Sequence, residues 1–207
     1  MRRSEFTYDT QEEFDSIVNT AMVGYLGIVD GRGFPRVIPL NFSCIGKTIY
    51  FHGANEGEKW ELLKESPKVT FSVDVPFSYI PSWFTSPKNA TPASHLFKSL
   101  LIRGIGLVVD DLDEKARGLQ AMMEKYQPEG RHEKVEAENR IYTNQLKQTG
   151  VFKVELEEFS IKNKFLQNYS PDKRQIIVDH LRERGLEIDL KSIDLIEYYR
   201  PKDQQTT

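Results

Sequence analysis

A single cysteine, Cys44, stands in the whole chain, so no internal disulfide can form. It sits in an apolar strand pattern, which reads as a buried structural thiol rather than a nucleophile. Histidine is scarce as well. His52, His95, His132 and His180 are too widely spaced to suggest a zinc site, and no metal is expected. No apolar run approaches the length of a membrane span. Met1 to Phe6 lead into no apolar stretch, so a signal peptide is not expected and the cytoplasm is the expected compartment. An excess of one charge is also missing. The formal net charge is −3 and no block of like charge occurs, which argues against nucleic acid and membrane as partners.

Hydrophobic residues make up 39% and charged residues 29% of 207 positions. Such a chain is globular and long enough to bury a substantial core. Thr10 and Glu13 have the spacing of a capping box, which predicts a helix to about Ala21 with Phe14 and Ile17 on its buried face. Val23 to Val29 reads as a strand, and Asp30-Gly31-Arg32-Gly33 as a hairpin turn. One strand is predicted over Pro35 to Ile45 and another over Thr48 to Gly53, joined at Ile45-Gly46-Lys47. Lys68 to Val75 alternates cleanly, and Lys98 to Val109 and Val151 to Phe159 complete about six strands. Helices are predicted from Glu56, from Asp113, over Glu133 to Gln148, from Ser170-Pro171 and over Asp189 to Tyr199. Hairpin-length connections imply an antiparallel sheet that curls or closes, rather than a doubly wound parallel one.

The chemistry is densest just after the second of those strands. The apolar run Ile49-Tyr50-Phe51 stops, and His52, Gly53, Ala54, Asn55, Glu56, Gly57 and Lys59 follow. Small residues let a ligand approach the backbone, and a lysine at a helix start favours an anion. The loop is a plausible cradle for a phosphorylated cofactor. It is no Walker motif, because Gly53 and Gly57 are too close and Trp60 follows Lys59.

Several segments in order now define a resemblance. Met1-Arg2-Arg3, VGYLG at Val23, VIPLNF at Val37, IYFHGANEGEK at Ile49 and LLKESPKV at Leu62 resemble the pyridoxamine 5'-phosphate oxidase-related split-barrel flavoproteins, and their nitroimidazole-resistance branch in particular. KNKFLQNYSPDKR, starting at Lys162, is similar to a further segment of some of these proteins. The resemblance implies a mainly β fold with flanking helices: a six-stranded antiparallel split β-barrel that binds FMN. It implies a barrel domain over 1–160 and a C-terminal helical extension over 161–207. It also implies a homodimer with flavin at the subunit interface, and FMN ahead of FAD or haem.

Under this resemblance Arg36, Val37, Ile38, Pro39, Leu40 and Asn41 line the flavin. His52, Gly53, Ala54 and Lys59 meet its phosphate end. Lys98 and Ser99 fall where the family often has a Tyr-Arg-Ser-Val sequence, with Phe97 and Lys98 replacing the first two. Lys98 is therefore either a phosphate contact or a solvent-facing lysine at a strand end. No residue stands out as catalytic, and the substrate-binding His and Arg pair of the namesake enzymes is not found. The expected activity is flavin-dependent oxidoreduction of a small planar acceptor. The rival readings are haem binding or degradation through His52 or His95, and a non-catalytic flavin sensor or regulator. Residues 76–96 read as one long loop whose aromatics, Tyr79, Trp83 and Phe84, either form a lid over the site or pin the loop down.

Overall fold

The computed structural model describes residues 4–65 and 67–201. Met1, Arg2, Arg3 and Ser66, parts of two of the segments above, lie outside the described residues. Six α-helices and seven strands are described: α1 (Gln11–Thr20), β1 (Gly24–Val29), β2 (Pro35–Leu40), β3 (Ser43–Ile45), β4 (Thr48–Ala54), α2 (Glu58–Lys64), β5 (Lys68–Ile80), β6 (Ser94–Val109), α3 (Leu112–Tyr126), α4 (Thr143–Gln148), β7 (Thr149–Lys164), α5 (Pro171–Arg184) and α6 (Glu187–Tyr198). The chain divides into two compact units. One comprises Phe14–Val73 and Leu100–Ser160; the other comprises Met1–Glu13, Asp74–Ser99 and Ile161–Thr207.

The first unit holds the closed end of the sheet. The strands run in the order β2-β1-β5-β6-β7-β4-β3. β1 lies antiparallel between β2 and β5, and β4 lies antiparallel between β3 and β7. The two edge strands, β2 and β3, are consecutive in the chain, with only Asn41 and Phe42 between them. Three residue steps reach at most about 11 Å. The edges of a flat seven-stranded sheet would stand about 29 Å apart. The sheet therefore curls until its edges nearly meet, which is the geometry of a split barrel.

That break corrects the predicted strand over Pro35 to Ile45 and raises the strand count to seven. β2 pairs with β1 and β3 pairs with β4, so the chain crosses the seam at Asn41-Phe42. Backbone groups lost from the ladder there find partners in a side chain of α3. The Tyr126 hydroxyl accepts from Phe42 N at 3.0 Å and donates to the Met22 carbonyl at 2.8 Å. Asn41 Nδ2 donates to the same Met22 carbonyl at 3.2 Å.

Aromatic rings fill the interior of this unit. Phe42, Phe51, Phe71 and Phe152 are fully buried. Phe42 meets Phe71 at 5.2 Å, Phe51 lies 6.4 Å from Phe71 and 5.4 Å from Phe152, and Trp60 closes the column 5.7 Å from Phe152. Burying each ring contributes about 1.5–3 kcal/mol relative to exposure. The column also sets a rigid floor beneath α2, the helix that carries Lys59. Cys44 is half-buried rather than buried as expected, and desolvation pushes its thiol pKa up to about 12.

The other unit has its own core, built from Ile80, Phe84, Leu96, Phe165, Ile177, Leu181 and Ile196. Here the expected loop over 76–96 is shorter than its sequence suggests. β5 continues to Ile80 because its pairing with β1 ends at Val73, so that Pro76 lies where that ladder needs no N–H. β6 begins at Ser94, so only residues 81–93 connect them. Phe84 is 4% exposed and stacks on His180 of α5 at 4.6 Å. Trp83 meets the same His180 edge-on at 5.5 Å but is 58% exposed, and Tyr79, which falls in β5, is 53% exposed.

The predicted helix over Glu133 to Gln148 is also reduced, to α4. Asn139 is the reason. Its side-chain oxygen accepts from Ile141 N at 3.0 Å, a local turn that competes with helical bonding.

Candidate functional site

The loop after β4 leads from the sheet into α2. Gly53 and Ala54 pair with Gly150 and Thr149 of β7, and the chain then leaves the sheet. Gly57 adopts φ 89° and ψ 177°, a conformation open in practice only to glycine, and α2 starts at the next residue. One helical step later Lys59 turns back over the strand end. Its Nζ lies 5.0 Å from the Phe152 ring centroid and 5.8 Å from that of Phe51. A Cβ added at Gly53 would stand 2.5 Å from that Nζ. Only a glycine leaves room for the ammonium where it lies.

Among the described residues, Lys59 has no hydrogen-bond or ion-pair partner. Burial holds its pKa below the ordinary lysine value. His52, one residue before the glycine, is also held below its ordinary value, first by desolvation and then by the Lys59 ammonium. The two basic groups feel each other's charge, although strand alternation turns the exposed His52 to the face of β4 opposite Gly53. An anion entering this site would find the positive charge uncompensated.

β2 joins the same neighbourhood through an ion pair. Arg36 Nη1 lies 2.7 Å from Glu58 Oε2, the residue just before Lys59. Glu58 is the one partner here that the sequence reading missed; its only signal was adjacency to Lys59. The remaining β2 residues are largely open. Val37 is 67% exposed, Ile38 and Leu40 are half-buried, and Pro39 and Asn41 are exposed. A groove of about 460 Å³ follows this strand, with Val29, Arg36, Val37, Lys68, Arg103 and Glu158 on its walls.

Lys98 and Ser99 belong to the other unit. Lys98 is neither solvent-facing nor open to an anion. It is 7% exposed, and its Nζ donates to Glu13 Oε2 at 2.9 Å. Glu13 also accepts from Asn163 Nδ2 at 2.9 Å and from the Tyr199 hydroxyl. Thr10 Oγ1 does accept from Glu13 N at 3.3 Å, as a helix cap should. The Glu13 carboxylate, however, turns inward to Lys98 instead of closing the capping box. Of the two rival haem ligands, His52 is described above, and His95 Nε2 lies 2.9 Å from the Phe77 carbonyl. Among the described residues no group of three or more His, Cys, Asp and Glu is placed to hold a metal ion. No helix among them is long and apolar enough to cross a membrane.

A family model described as pyridoxamine 5'-phosphate oxidase matches residues 10–163. The chain belongs to that family. No curated protein matches it by sequence. Among solved structures, it is similar to a candidate 5-nitroimidazole antibiotic resistance protein from Bacteroides thetaiotaomicron, at 22% identity and TM-score 0.61, over 75% of this chain and 85% of that one. It is also similar to the flavocytochrome Anf3 from Azotobacter vinelandii, at 20% identity and TM-score 0.63, over 77% and 69%. A third is an FAD- and haem-binding protein from Mycobacterium smegmatis, at 20% identity and TM-score 0.63, over 76% and 73%. At these identities the likeness establishes the split-barrel fold.

Proposed function

We propose that this protein is an FMN-binding, homodimeric, cytoplasmic oxidoreductase that acts on a small planar acceptor. The observation that carries the reading is Lys59: a half-buried ammonium beside His52, resting on aromatic rings, with a bare Gly53 beneath it and no acidic partner. Such a position suits a phosphate, which is a near-dianion and forms charge-assisted bonds. His52, Gly53, Ala54 and Lys59 hold the phosphate end. Arg36 to Asn41 present backbone and aliphatic groups to the ring, and of these Arg36 and Val37 line the groove beside β2. The bound flavin supplies the electron or hydride chemistry; the protein binds and orients it. Names of structural relatives that bind FAD or haem make those groups the alternatives to test. Lys98 is left out of this site because its charge is committed to Glu13.

A homodimer is supported by the outward face of β1 and β2. Tyr25, Val29, Phe34 and Val37 are 38%, 58%, 61% and 67% exposed, an apolar set that a second subunit would cover. Light scattering on the flavin-loaded protein tests this, and a loaded monomer would remove it.

The cofactor reading is tested by adding FMN, FAD and haemin separately, removing excess by gel filtration, and recording spectra. Retained FMN with flavin bands supports the proposal. A Soret band with no flavin retention would replace it with haem binding. A colourless protein under all three conditions would leave a structural or regulatory role.

A further inference from the structure

Arg36 joins two parts of the candidate site. It lines the groove beside β2, and its Nη1 lies 2.7 Å from Glu58 Oε2 at the start of α2. Glu58 directly precedes Lys59 in the chain, yet its carboxylate turns to Arg36. Lys59 itself has no ion-pair partner among the described residues. A ligand reaching from the groove to Lys59 would pass the Arg36–Glu58 pair.

That pair is open to water. The Arg36 and Glu58 side chains are 45% and 47% exposed. An ion pair this exposed is weakly held, because solvent screens it and two long side chains lose freedom to make it. A phosphate is the stronger acceptor. It brings nearly two charges and three oxygens, and a guanidinium meets it with two parallel N–H groups. A phosphate arriving at Lys59 would therefore take Arg36 from the carboxylate. The exchange breaks one ion pair and leaves Glu58 beside a dianion, so Glu58 subtracts from phosphate affinity.

We propose that Glu58 is a built-in competitor for the cofactor phosphate: it holds Arg36 until a phosphate takes the guanidinium over, and so it weakens the retention of phosphorylated flavin. The proposal rests on the reading of Lys59 as the phosphate site and adds the residue that regulates it. Riboflavin, which lacks the phosphate, has no such exchange to make.

The test titrates FMN and riboflavin, by flavin fluorescence quenching, into the full-length parent, Glu58→Gln, Arg36→Gln and the double variant. Glu58→Gln should tighten FMN about threefold to tenfold at low ionic strength, and the gain should shrink in about 0.5 M salt. Riboflavin affinity should stay nearly unchanged. A carboxylate with a merely structural role would lower affinity when removed, not raise it. In the Arg36→Gln background, Glu58→Gln should gain less than about twofold, since no guanidinium remains to be released. Both side chains are nearly half exposed, and a thermal melt close to the parent's confirms that each variant is folded. FMN affinity of Glu58→Gln at or below the parent's, an equal gain for riboflavin, or the full gain without Arg36 would each overturn the proposal and leave the Lys59 site standing. A parent that binds FMN no better than riboflavin would remove the phosphate reading, and this proposal with it.

Discussion

The ammonium of Lys59 lies 5.0 Å from the centroid of the Phe152 ring. Phe152 is fully buried and stacked on Phe51, so the charge rests on a fixed surface. The rings orient the lysine without neutralising it, as a carboxylate would. The proposed anion site at the end of β4 would thus be built by the hydrophobic core as much as by the loop that follows.

Because burial lowers the Lys59 pKa, its charge is lost at a lower pH than an exposed lysine's. A bound phosphate favours the charged form and raises that pKa again. Phosphate binding therefore takes up a proton once pH exceeds the free-site value, and affinity falls as pH rises. The ratio of FMN to riboflavin affinity should decline in the alkaline range, at a lower pH than an ordinary exposed lysine would give. Fluorescence-quenching titrations of both ligands across that range check it; a constant ratio would contradict it.

Gly53→Ala should preserve the fold and weaken FMN. The new Cβ would meet Lys59 Nζ at 2.5 Å, and the flexible lysine tip must move away. The expected loss is about tenfold in FMN affinity, or about 1.4 kcal/mol, with a smaller change for riboflavin. The same titrations, together with a thermal melt, distinguish this from unfolding.

Tyr126→Phe should destabilise the barrel seam. It removes the acceptor for Phe42 N and the donor to the Met22 carbonyl. Asn41 still donates to the Met22 carbonyl, but leaving the Phe42 N–H unsatisfied costs about 1–3 kcal/mol. Chemical denaturation should show a lower midpoint with an unchanged slope.

How much of this was legible in the sequence depended on how local each determinant is. The alternation of Lys68 to Val75, the turn at Gly46, and the small-residue loop before Lys59 are written in neighbouring positions, and they folded as read. The break at Asn41-Phe42 is not local. β2 and β3 are one apolar run, and only their different partners, β1 and β4, divide it. Lys98 was misplaced for the same reason: its partner Glu13 lies 85 positions away and carries a convincing local role as a capping residue. Pro76 hid the end of β5 because a proline reads as a stop unless it is known that the pairing with β1 ends before it, at Val73.

Phe84 and Trp83 should separate in their effects. Phe84 is 4% exposed within the core of its unit, and Phe84→Ala should cost about 3–5 kcal/mol. Trp83 is 58% exposed, and Trp83→Ala should cost under about 1 kcal/mol. Urea unfolding of the two variants checks this. Equal and small losses would return the segment 81–93 to the reading of a mobile lid.

The most direct test of the central claim is Lys59→Ala titrated with FMN and with riboflavin, which differ only in the phosphate. The account predicts that FMN affinity falls by about 1–3 kcal/mol, as for a charge-assisted contact, while riboflavin affinity stays nearly unchanged. An equal change for both ligands, or none for FMN, would contradict the placement of the phosphate at Lys59.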